Sequence, residues 1–91
     1  MDPITTATRF DNAMAMILAH GQKLGLVLPW TVVFVAPRTG GVAILRKTDQ
    51  GHEVVASEGS LDPPMSVVIV DARNEAARFV IEPGDGLMAI N

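Results

Sequence analysis

From residue 10 to residue 24, apolar side chains recur at helical spacing. At 100° per residue, Phe10, Ala13, Met14, Ile17, Leu18, Gly21 and Leu24 share a band about 140° wide, and Asp11, Asn12, Gln22 and Lys23 lie outside it. Met16 and Ala19 also fall outside the band, so the pattern is an amphipathic helix with some apolar side chains on its back. Asp2-Pro3 offers a start with proline in the first turn, and Thr8 with Asp11 a weaker one. Gly21 and Gly25, with Pro29 beyond, stop the pattern and predict a helix over about 4–24.

Beyond residue 26 the signal becomes β-branched. Val32-Val33-Phe34-Val35 and Val67-Val68-Ile69-Val70 are strand-like runs. Pro37-Arg38-Thr39-Gly40-Gly41 reads as a turn inside a hairpin over 31–47. Thr48-Asp49-Gln50-Gly51 turns the chain into a short strand at 52–56, followed by a Ser-, Gly-, Asp- and Pro-rich loop. A second hairpin is predicted over 66–82, turning near Arg73-Asn74. Pro83-Gly84-Asp85-Gly86 opens a tail over 83–91 whose last residues are either a short strand or loose. Residues 29–38 align without gaps to residues 64–73, five of ten positions being identical at an offset of 35. Two similar hairpins are one way to produce that likeness, and convergence of two buried strands on valine is the other.

The predicted fold class is α+β in a single domain over 1–91: one N-terminal amphipathic helix packed on an antiparallel sheet of about five strands. Two similar β-hairpins make the sheet, joined through the strand at 52–56. The expected core is Phe10, Met14, Ile17, Leu18, Val33, Val35, Ile44, Val68, Val70 and Ile81.

Composition sharpens this picture at two points. The chain of 91 residues is 48% hydrophobic before its eight glycines are counted, and only 19% charged. Average chains reach about 45–50% with glycine included and about 25% charged. A domain this small buries only about 60–65% of its unfolded surface, so it carries more apolar material than a monomer readily hides. The absence of cysteine excludes disulfide scaffolds, cysteine nucleophiles and iron–sulfur sites. No basic n-region precedes Arg9, and no apolar run reaches the ~20 residues of a membrane span, so a soluble, cytoplasmic protein is expected.

Candidate chemistry is sparse. His20 lies at the border of the helical apolar band, and His52 beside Glu53 begins a strand; neither has the spacing of a metal site, even with Glu58 or Asp62. Asp71, Glu75, Glu82 and Asp85 could supply paired carboxylates, but Asp71-Ala72-Arg73-Asn74-Glu75 reads better as a polar turn. Gly40-Gly41 with Arg38, Arg46 and Lys47 is the one local basic cluster that could hold a phosphate, without the spacing of a phosphate loop. A net charge of −3 and only Phe10, Trp30, Phe34 and Phe79 as aromatics argue against nucleic acid. No cofactor, metal or catalytic residue is predicted.

The strands lack the apolar–polar alternation of a sheet with one wet face. A single helix covers one face only, so the sequence predicts a homo-oligomer, most simply a dimer, closed through the other face, with Val32, Phe34, Val67 and Ile69 at the seam. The function expected is a small non-enzymatic interaction or regulatory module, its partner being itself. The alternative is a small-molecule binder or minor enzyme with a pocket between helix and sheet, drawing polar contacts from Arg38, Arg46, His20 or His52.

Overall fold

The structure is a computed structural model describing residues 3–84 and 86–90, with side chains from residue 9 onward. Helix α1 spans Pro3–Lys23. Asp2, the expected cap, lies outside the described residues, and the alternative start at Thr8 falls inside the helix. At the other end Gly25 takes φ +69°, the Gly25 N–H donates to the Gln22 carbonyl, and the Leu26 N–H reaches back to the Gly21 carbonyl. These paired bonds satisfy carbonyls that a helix end leaves open, and they need a residue without Cβ at Gly25.

Six strands follow: β1 Trp30–Ala36, β2 Gly41–Thr48, β3 Gly51–Glu58, β4 Met65–Val70, β5 Ala76–Ile81 and β6 Leu87–Ile90. All neighbours are antiparallel, in the order β3-β2-β1-β4-β5-β6. The α+β class holds, with two differences from the expected sheet. Of the two alternatives for residues 87–90 the strand is the one formed, making six strands where about five were expected, because Leu87 and Ala89 continue the apolar ladder opposite Ile81 and Phe79. The 52–56 segment does not join the hairpins; it belongs to an edge strand, and the two halves meet directly where β1 pairs with β4. The order reads the same from either edge, three strands to each side of the Val33↔Val68 pair.

The helix covers one face of this sheet. Ala13 and Ile17 share one buried cluster with Trp30, Val32, Phe34, Ala43, Leu45, Met65, Val67, Ile69, Phe79 and Ile81. Phe10, Met14 and Leu18 flank that core half-buried, and the Phe10 ring meets Phe34 edge-on with centroids 5.2 Å apart. Gly21 lies directly on the Trp30 ring, whose indole N–H donates to the Leu26 carbonyl at 3.1 Å.

The expected core is therefore only partly right. Ile17 and Ile81 are fully buried, whereas Val33, Val35, Ile44, Val68 and Val70 stand on the opposite face. By the same inversion Val32, Phe34, Val67 and Ile69, expected at an outer seam, lie fully buried beneath the helix. In the runs 32–35 and 67–70 both phases are apolar, so alternation within them does not choose the covered face. The larger side chains, Trp30, Phe34, Met65 and Phe79, choose it by filling the space under α1. Among the described residues, no helix is long and apolar enough to cross a membrane.

Candidate functional site

The sheet face away from the helix is chemically distinctive. Strand pairing sets three rows across it. One runs Glu58, Val42, Val35, Ser66, Val80, Met88. The next runs Ala56, Ile44, Val33, Val68, Arg78, Ile90, and the third runs Glu53, Arg46, Thr31, Val70, Ala76. The second row is apolar through its centre, and the first is apolar there except for Ser66, between Val35 and Val80. Val35 and Val42 are 37% and 40% exposed, and Met88 and Ile90 are 50% and 47% exposed. Val33, Ile44, Val68, Val70 and Val80 are half-buried by their strand neighbours. Thr31, Arg46, Ser66 and Arg78 all share this face, and their parity is the signal in the chain that could have distinguished it from the covered one.

The edges of the sheet are less suited to contact. Pairing of β2 with β3 shifts register between Ile44 and Leu45, leaving Val55 unpaired as a bulge on the edge strand. A bulge flanked by His52, Glu53 and Glu58 discourages another strand from adding there. At the other edge β6 has only four residues.

The four polar candidates do not converge. Arg46 and His52 come together at the β2–β3 end, where they line a cavity of about 240 Å³ with Thr48, Gln50, Gly51 and Glu53. His20 sits at the other end of the sheet, with its ring 5.2 Å from that of Phe79 at 78°. There it helps line an open cavity of about 420 Å³ with Arg78, Phe79, Ala89 and Ile90. Arg38 is exposed in the β1–β2 turn.

The basic cluster is not a cluster in space. Gly41 begins β2 and Arg46 lies five residues along it, about 17 Å away in an extended strand. The glycines serve the backbone instead. Gly40 has φ +74° and gives its N–H to the Ala36 carbonyl at 2.8 Å. A Cβ on Gly41 would run into the Ser60 carbonyl, because the loop before β4 crosses the turn there. The Thr39 hydroxyl donates to that same Ser60 carbonyl. Among the described residues no three His, Asp or Glu side chains are grouped to hold a metal.

Asp71 is the one buried charge in the described core, 5% exposed. As read from the sequence it organises a turn: Oδ1 accepts the N–H groups of Arg73 and Glu75, both at 2.9 Å. Its second oxygen does something the sequence did not signal. Oδ2 accepts the Val27 N–H at 2.9 Å, while the Ala72 N–H donates to the Val27 carbonyl, clasping the α1–β1 linker to the β4–β5 turn. The Arg73 guanidinium lies 3.1 Å from Oδ2. Burial pushes the Asp71 carboxyl up, but the N–H donors of Val27, Glu75 and Arg73 outweigh it and hold the pKa at about 2. Asp85 lies outside the described residues. No family model matches the chain, and no curated protein or solved structure matches it significantly.

Proposed function

We propose that the protein is a small non-enzymatic interaction module that self-associates through the sheet face away from α1, its first partner being a second copy of itself. The observation that carries this reading is the apolar centre of that face, Val33, Val35, Val42, Ile44, Val68 and Val80, which no segment of the described chain covers. Six strands about 4.8 Å apart and about 20 Å long offer roughly 600 Å² per copy, near the lower end of what a specific interface buries. Burying even 400 Å² of apolar surface on each of two copies is worth about 20 kcal/mol, against an association cost of about 4–15 kcal/mol. Charge does not oppose the pairing, since the face carries Arg46 and Arg78 with Glu53 and Glu58. We also read the two three-stranded halves as one unit used twice, a reading supported by the offset of 35 at the central Val33↔Val68 pair.

The test is light scattering coupled to size exclusion at micromolar concentration. The wild-type chain is expected at twice its 9.7 kDa mass, and Val35→Lys and Val42→Glu at the single-chain mass with an unchanged far-UV circular dichroism spectrum. A wild-type mass of 9.7 kDa that does not rise on concentration overturns the proposal.

A further inference from the structure

We propose that the cavity between the C-terminal end of α1 and the β5–β6 edge binds a small apolar monocarboxylate. Its volume of about 420 Å³ lies within the ~300–1,000 Å³ range of small-molecule sites, whereas two other cavities among the described residues, about 240 and 160 Å³, fall below it. The floor and walls are apolar, formed by Leu24, Phe79, Ala89 and Ile90. His20, from the helix side, and Arg78, whose strand position faces away from α1, both line this space at the sheet edge, and no Asp or Glu among the described residues does. Arg78 is always charged and offers a planar fork that matches a carboxylate, and it makes no ion pair with a described carboxylate. The edge-on contact of His20 with Phe79 fixes the imidazole against the cavity floor.

The last carbonyls of α1 do not repel an anion there as free acceptors would, because those of His20, Gly21 and Gln22 already accept the N–H groups of Leu24, Leu26 and Gly25. The chemistry selected is one negative head on an apolar body, and the site shares Ala76, Arg78 and Ile90 with the rim of the self-association face proposed above.

An amide NMR titration of the full chain with hexanoate tests it, with hexanamide as the uncharged match. Saturable shifts are expected at His20, Arg78, Phe79 and Ala89 and not at Arg46 or His52, with hexanamide at least about tenfold weaker. Arg78→Ala should weaken hexanoate about tenfold, and Ala89→Trp, which fills the cavity, should abolish binding. Absence of saturable shifts, equal binding of hexanamide, or an Arg78→Ala variant that binds as the wild type would each overturn the inference.

Discussion

Asp71 concentrates more hydrogen bonding than any other described side chain, joining residues 27, 73 and 75 through one carboxylate. Its pKa, held at about 2, gives the direction of a pH effect. A carboxyl whose folded pKa lies below its unfolded value of about 3.9 contributes stability that is complete above about pH 4 and is lost as pH falls toward 2. Asp71→Asn keeps the size but places an NH₂ against N–H donors, so the variant should melt several degrees below the wild type at pH 7. The gap should narrow between pH 4 and pH 2, read as the difference in urea midpoint between the two proteins. A gap that stays constant across that range would mean the ionised form is not what the clasp uses. That this aspartate caps a turn is legible in Asp71-x-Arg73-x-Glu75. That it also grips Val27, 44 residues away, is not, because nothing in an Asx turn specifies a long-range donor.

At the scale of elements, the helix was legible because its apolar positions keep one period and its glycines mark the stop. The strands were legible as strands, but their facing was not, since Val32-Val33-Phe34-Val35 fills both phases. Adjacent residues now separate the two faces. Ile69→Ala, on the covered side, should cost about 2–5 kcal/mol. Val68→Ala, next to it on the open side, should cost the dilute single chain under about 1.5 kcal/mol, both read by urea unfolding. Gly21 gives a second test. Gly→Ala inside a helix usually gains up to about 1 kcal/mol. Here the added Cβ would stand 2.6 Å from two carbons of the buried Trp30 ring. Overpacking of that kind costs about 1–3 kcal/mol, so Gly21→Ala should destabilise, against its propensity. Ala15→Gly, exposed on the helix back, provides the propensity-only control.

For the whole molecule, the surplus of apolar residues is divided: Val35, Val42, Met88 and Ile90 are exposed on the face opposite α1, and Leu24, Val27, Leu28, Val54 and Val55 are exposed elsewhere. If that face is closed by a second copy, the melting temperature of the wild type should rise with protein concentration, because association stabilises only the folded chain. Calorimetry from about 5 to about 500 μM should show the rise, and Val35→Lys should flatten it. A further consequence concerns how the strands find their alignment. Sliding one strand by a single residue exchanges its two faces, and in most sheets that error exposes the core. In this sheet the exchanged face is also apolar at its valines, so solvent penalises a slip chiefly where it would carry Thr31, Arg46, Ser66 or Arg78 under the helix. Shape adds a second penalty: the Trp30 ring fits only under Gly21, and the Ser60 carbonyl passes only over Gly41. Two bare glycines therefore reinforce the alignment that a few polar positions set, and enlarging either one should yield misaligned, still compact chains before it yields unfolded ones.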